Sequence, residues 1–186
     1  MISNGPDPLI LVGLHVRATD AIVLRRAFAW SVAAHHGQVR KDGSRLIDHV
    51  VGVARNVQRF DEDGELDLLV AALLHDIVEN TDVPLSDVED RFGARVARLV
   101  DAVTNREGES AADSALRALE VGRAALLLRL CDRLDGIRRS RGRAAGKRRA
   151  FLEASRDTHL ALAEEHFPAL GEAMRGALAE AEASLD

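Results

Sequence analysis

Residues 66–80 read LDLLVAALLHDIVEN, an apolar run that carries its histidine and its last carboxylates only toward the end. Because Leu, Val and Ala occupy nearly every side of the helical wheel, the run predicts a central helix that is buried all round. A charged side chain inside such a helix is costly unless it is paired or bound to a metal. The adjacent residues His75 and Asp76 therefore mark this stretch as a candidate site inside the core.

A second apolar stretch, RAALLLRLCDRLDGIRR at 123–139, places Asp132 in a similar setting. In the first stretch, Glu79 follows His75 by four residues and Asp76 by three, so these three side chains share one helical face. Charged residues inside two separate apolar helices predict a site where the two helices meet.

The candidate ligands form a mixed set of nitrogen and oxygen donors. Two imidazoles and two carboxylates suit manganese, iron or another first-row divalent ion with positions left open for water. A structural zinc site would more often use thiolates. The predicted metal ligands are His49, which opens another amphipathic segment, together with His75, Asp76 and Asp132.

The rest of the chain predicts an all-α fold, an irregular bundle of about eight helices, since no segment shows convincing strand alternation. Residues 1–17 are expected to form an N-terminal arm because Gly5, Pro6 and Pro8 discourage regular structure. Residues 18–186 are expected to form a single domain. The expected helices run from Thr19 or Asp20 to Gly37, over 47–60, 66–80, 84–93 with a capping box at Ser86 and Glu89, 94–103, 111–121 and 123–139, with two more within 147–186 and a basic loop at 139–149.

Composition limits the classes of function. With 186 residues and 47% hydrophobic content, the chain is long enough for one ordinary core. The formal charge of −5 disfavours duplex nucleic acid as a partner. One cysteine excludes an intramolecular disulfide and a cysteine zinc cluster. No stretch has the length of a membrane span or of a signal peptide, so we expect no membrane partner and a soluble, cytoplasmic protein.

Five blocks carry a family resemblance, and they occur in the family's order and spacing over roughly residues 20–140. The pattern resembles the HD phosphohydrolase superfamily, above all the hydrolase domain of the RelA/SpoT proteins and its small stand-alone metazoan homologue. The blocks are HHGQVRKDG (35–43), IDHVVGVA (47–54), AALLHDIVENT (71–81), RFGARVARLVDAVT (91–104) and LLLRLCDRLDGIR (127–138).

The resemblance implies an activity and a set of roles. Such hydrolases use manganese to remove pyrophosphate from the 3′ position of guanosine tetra- and pentaphosphate. The four candidate ligands match the family's metal ligands by position. Glu79 matches the first half of the family's catalytic Glu-Asp pair, and Arg40 and Lys41 match basic residues that lie against the substrate.

Several positions depart from the family pattern. The catalytic Asp is Asn80, whose amide can orient a water but cannot take its proton. Asp135 and Gly136 stand where an aromatic residue or His followed by Asn usually holds the nucleotide, which makes these two positions candidate substrate contacts. Leu46 replaces a Tyr and Val50 a Pro. The metal site is therefore expected to be intact, whereas the parts that read the nucleotide are altered.

Three hypotheses remain open on the sequence. The first is a SpoT-like 3′-pyrophosphohydrolase. The second keeps the metal chemistry but acts on another 3′-phosphorylated nucleotide or dinucleotide. The third is a nucleotide-binding sensor weakened in catalysis by Asn80. The cationic run 138–149 is either a solvated linker or a lid that holds polyphosphate.

Overall fold

The computed structural model describes residues 7–185, and within that range it contains helices and no strand beyond one isolated bridge between Val39 and Arg45. The all-α fold is therefore confirmed. The helices are α1 Pro8–Leu11, α2 Ala21–Ala34, α3 Leu46–Phe60, α4 Leu66–Leu74, α5 Ile77–Asn80, α6 Leu85–Phe92, α7 Ala94–Val103, α8 Ala111–Val121, α9 Arg123–Arg138, α10 Ala145–Ala154, α11 Ala161–His166 and α12 Pro168–Glu182, with a 3-10 turn at Ser140–Gly142 and a π-helix at Ser155–Leu160.

Helix α4 lies at the centre of the bundle, as its apolar sequence predicts. It packs against α2, α3, α7 and α9, and every residue from Val70 to Leu74 is buried. Helix α9 packs along α3 and buries its residues from Ala125 to Cys131. Because α3, α4 and α9 are in mutual contact, any polar side chains on their facing sides are brought to one place.

The helix expected over 66–80 is interrupted. Helix α4 ends at Leu74, the backbone of Asp76 leaves ideal helical geometry at φ −92° and ψ −5°, and α5 begins at Ile77. The hydroxyl of Thr81 donates to the carbonyl of Ile77 and closes the short helix. The interruption falls on the histidine and aspartate that the sequence singles out, so the site lies at a turn between two helices rather than within one.

The capping box expected at Ser86 and Glu89 is wrong. Helix α6 begins two residues earlier than such a box requires, with Pro84 at the cap and no side-chain capping bond. A capping box forms instead at α8, where the Ser110 hydroxyl accepts from the backbone N–H of Asp113 and the Asp113 carboxylate accepts from that of Ser110.

Both ends of the chain contribute more structure than the sequence predicts. The described part of the N-terminal arm contains α1 and buries Leu9 and Leu14 in the core; residues 1–6 lie outside the described range. The expected basic loop at 139–149 contains the 3-10 turn and the start of α10. Helix α12 packs on α9, and the single-domain organisation of 18–186 stays a prediction. No helix among the described residues combines the length and the apolar character needed to cross a bilayer.

Candidate metal centre and active site

Three helical elements bring predicted ligands together: His49, His75 and Asp132 offer ligand atoms within 4.8 Å of one another, and Asp76 lies beside both histidines but outside that group. His49 comes from the first turn of α3, His75 and Asp76 from the turn between α4 and α5, and Asp132 from α9. The Nε2 atom of His49 lies 3.2 Å from Asp132 Oδ1 and 3.3 Å from His75 Nε2. The two carboxylate oxygens of Asp76 lie 3.7 Å from His49 Nε2 and 3.5 Å from His75 Nε2.

A hydrogen bond at Nδ1 orients the ring of each histidine. His49 Nδ1 is 2.6 Å from a carboxylate oxygen of Asp135, and His75 Nδ1 is 2.9 Å from the carbonyl oxygen of Ala72. Since both partners accept, each Nδ1 carries a proton, and the two Nε2 atoms face each other as the positions that a cation, either a proton or a metal ion, can take. Two lone pairs 3.3 Å apart repel unless a positive charge stands between them. The donor set therefore fits a divalent metal ion.

The electrostatics of the cluster also favour a cation. Burial alone would lower the pKa of His49, but its hydrogen bonds to Asp132 and Asp135 and the nearby carboxylate charges raise that pKa to about 9. Burial would raise the pKa of the Asp132 carboxyl, yet its hydrogen bond to His49 and the surrounding positive charges hold it well below its usual range. Asp132 therefore stays ionised, and the field at His49 Nε2 attracts positive charge.

Asp135 lies away from the position that the resemblance gave it. Its side chain is buried, and it contacts His49 and Arg139 rather than lining the cavity in front of the ligands. The carboxylate fits over the backbone of α3 because residue 52 is glycine: a Cβ at Gly52 would lie 2.1 Å from Asp135 Oδ1. This geometry suits Asp135 to orienting His49 rather than to contacting a nucleotide in the cavity.

Gly136, the other residue expected to contact the nucleotide, does line the cavity. A Cβ at Gly136 would lie 3.2 Å from the Phe151 ring, so the glycine leaves room for that ring to approach α9. Leu46 lines the same cavity, whereas Val50 is fully buried in the core.

Glu79 and Asn80 both reach the cavity. The two carboxylate oxygens of Glu79 accept from the backbone N–H and the side-chain amide of Asn105, each at 3.0 Å. Asn105 lies in the break after α7, and no sequence pattern pointed to it. The backbone carbonyl of Asn80 accepts from the Gln38 side chain, which ties α5 to the loop before α3.

The cavity in front of the ligands has a volume of about 710 Å³ and is rich in cations. Arg129 and Arg139 are engaged by the carboxylates of Asp132 and Asp135. Four more cations line the cavity, and among residues 7–185 their side chains have no hydrogen-bond or ion-pair partner. These are Arg40, Lys41, Arg133 and Arg143. Arg40 and Lys41 were expected here; Arg133, Arg143 and Phe151 were not singled out by the sequence, although Arg143 lies in the cationic run.

Comparisons with known proteins identify the family of the chain. The family model described as HD domain matches residues 27–165. The guanosine-3′,5′-bis(diphosphate) 3′-pyrophosphohydrolase MESH1 of Danio rerio is 33% identical over 66% of this chain and 72% of its own length. The Homo sapiens MESH1 is 38% identical over 64% of this chain and 70% of its own length.

Longer bacterial proteins and a solved structure match as well. The guanosine-3′,5′-bis(diphosphate) 3′-pyrophosphohydrolase of Aquifex aeolicus is 35% identical over 62% of this chain, which spans only 17% of that protein. The structure of a metazoan SpoT orthologue, described as hydrolysing ppGpp, superimposes with a TM-score of 0.74 at 22% identity and covers 94% of this chain and 100% of that one. This chain therefore belongs to the HD domain family, as its five sequence blocks predicted.

Proposed function

We propose that the chain is a metal-dependent hydrolase that removes the 3′-pyrophosphate from guanosine 3′,5′-bis(diphosphate). Membership of the HD family and the names of its relatives support metal-dependent hydrolysis. The observation that carries the proposal is one cavity that is lined both by the candidate ligands His49, Asp76 and Asp132 and by cations without a hydrogen-bond or ion-pair partner among residues 7–185. Such a cavity suits a substrate that is a polyanion and is cleaved at a phosphate.

His49, His75, Asp76 and Asp132 would hold the metal ion. Manganese is the ion that the family resemblance implies, and nitrogen with carboxylate oxygen is a donor set that it accepts. When bound, a divalent ion makes a nearby water more acidic and draws negative charge from the phosphoryl oxygens.

The side chains around the ligands would perform the remaining work. Glu79 accepts a proton from the attacking water, and Asn105 holds its carboxylate with two hydrogen bonds. The oxygen of the water adds to the phosphorus that is attached to the 3′ oxygen of the nucleotide. The bond between this phosphorus and the 3′ oxygen breaks, and the proton passes to the 3′ oxygen. Arg40 and Lys41 neutralise phosphate charge while the substrate binds. The products are pyrophosphate and the nucleoside 5′-diphosphate.

The test is a turnover assay with manganese across a panel of 3′-phosphorylated nucleotides, with identification of the products. We expect release of pyrophosphate and GDP from guanosine 3′,5′-bis(diphosphate). The matched control is Asp132→Asn, which keeps the shape of the side chain but removes a ligand charge. Metal binding without turnover of any nucleotide in the panel would overturn the proposal and favour a sensor.

A second candidate keeps the chemistry and changes the nucleotide. It is favoured by the surroundings of Gly136, where the Phe151 ring lies in place of a polar side chain that could bind a ribose hydroxyl. Faster turnover of another 3′-phosphorylated nucleotide or dinucleotide in the same panel would select this candidate. The cytoplasmic location expected from the sequence stays a prediction.

A further inference from the structure

Two arginines lie against one aromatic ring in the wall of the cavity. The guanidinium carbon of Arg143 is 4.0 Å from the centroid of the Phe151 ring, and that of Arg133 is 4.7 Å from the same centroid. All three side chains line the cavity. Contacts of this kind hold a guanidinium plane in place while leaving its N–H groups available as donors.

Two glycines make this arrangement possible. Gly136 on α9 lets the Phe151 ring approach, because any Cβ there would lie 3.2 Å from the ring. Gly142 lets the 3-10 turn lie directly on the loop before α3, since a Cβ there would lie 2.0 Å from the Cβ of Asp42. The second contact places Arg143 beside the loop that carries Arg40.

The result is a set of like charges with too few counter-charges. Burial lowers the pKa of the Arg143 guanidinium, the positive charge of Arg40 lowers it further, and the carboxylates of Asp132 and Asp42 offset only part of this shift. Within residues 7–185, neither Arg133 nor Arg143 has a hydrogen bond or ion pair from its side chain. Clustered cations are stabilised by an anion, and an arginine fork matches the oxygens of a phosphate.

We propose that Arg133 and Arg143, held against Phe151, form a second phosphate subsite that binds the 5′-phosphates of the nucleotide. This inference rests on the proposed function, because it assumes a nucleotide that carries phosphate at both ends. The 3′ end lies at the metal centre beside Asp132, and the 5′ end lies under the turn that carries Arg143. The subsite makes the enzyme selective for nucleotides that are phosphorylated at both positions.

The experiment compares two substrates in the wild type and in Arg143→Gln. One is guanosine 3′,5′-bis(diphosphate), and the other is guanosine 3′-diphosphate with a free 5′ hydroxyl. Loss of a charge-assisted contact raises KM for the first substrate roughly 10- to 100-fold and leaves KM for the second nearly unchanged. The matched control is Arg141→Gln, an exposed arginine of the same turn that does not line this cavity and leaves both KM values as they are.

A second variant and a binding measurement keep the test independent of turnover. Phe151→Leu keeps an apolar side chain but releases both arginines, so it produces the same selective rise in KM. GDP, which carries only the 5′-phosphates, binds the wild type more tightly than guanosine does, and Arg143→Gln removes that preference. Equal effects of Arg143→Gln on both substrates, or an unchanged preference for GDP, would overturn the subsite. If the wild type binds GDP more tightly than guanosine but hydrolyses neither guanosine 3′,5′-bis(diphosphate) nor guanosine 3′-diphosphate, the proposed function is refuted and the subsite stands.

Discussion

The contact between Asp135 and His49 allows a prediction about metal affinity. Asp135→Asn keeps the shape of the side chain but removes the negative charge behind His49 Nδ1, 2.6 Å away. Changing the partner of a metal-ligating histidine typically costs 10- to 100-fold in affinity, or about 1.4–2.8 kcal/mol. We expect the upper half of that range, because both side chains are buried and charge interactions are weakly screened there. The bond from Arg139 to the same carboxylate is more exposed and adds little.

A substitution on the opposite helix tests the same contact. Gly52→Ala introduces a Cβ 2.1 Å from Asp135 Oδ1, so the carboxylate must move away from His49. Alanine is a better helix former than glycine by about 1 kcal/mol, which acts in favour of α3 itself. We therefore expect Gly52→Ala to weaken metal binding even though its intrinsic effect on the helix is stabilising.

The assay is manganese affinity by competition with a fluorescent chelator, with thermal unfolding followed in parallel. Asp48→Asn is the control for charge, since Asp48 lies one residue before His49 but pairs with the exposed Arg45. Gly176→Ala is the control for helix propensity, because a Cβ at Gly176 meets nothing within 4 Å. A folded Asp135→Asn protein that binds manganese within about twofold of the wild type would refute the orienting role, given the range expected for such partners.

Four further predictions concern the ligands, the cavity and a buried histidine. Asp76→Ala should abolish metal binding and turnover together, as measured by metal content and pyrophosphate release; activity that survives without metal would contradict the site. Replacing Arg40 and Lys41 together by Ala should raise KM more than it lowers kcat, and each lost contact should weaken substrate binding by about 1.5–3 kcal/mol. Unchanged kinetics would show that both side chains belong to a solvated loop and do not contact the substrate. Asn80→Asp should raise kcat by up to the 10²–10⁴-fold typical of a positioned acid or base, with metal content unchanged; a slower variant would favour the change-of-substrate hypothesis. Burial lowers the pKa of His159 to about 3, whereas the histidine of the unfolded chain takes up its proton below about pH 6.5. The free energy of unfolding should therefore fall as pH drops from 6.5 toward 3, by about 2 kcal/mol at pH 5. The variant His159→Leu should lack this part of the pH dependence when its free energy of unfolding is measured by denaturant titration.

The sequence by itself determined the class of fold and pointed to the candidate metal ligands. The run around His75 is apolar on all sides, so it had to be a core helix, and hydrophobic spacing of this kind is a local property of the chain. A charged pair in such a helix is improbable without a partner, which pointed to Asp76 and, by the same reasoning, to Asp132. These inferences need only the neighbours of each residue in the chain.

The tertiary structure decided which side chains support those ligands. Asp135 is three residues after Asp132, yet it orients His49, which is 86 positions away, because α9 packs on α3 at a glycine. Asn105 reaches Glu79 from the end of another helix, and Phe151 aligns its arginines only where α10 meets α9. Contacts across such distances in the chain depend on how helices pack and where small residues let them approach, which hydrophobic periodicity does not encode.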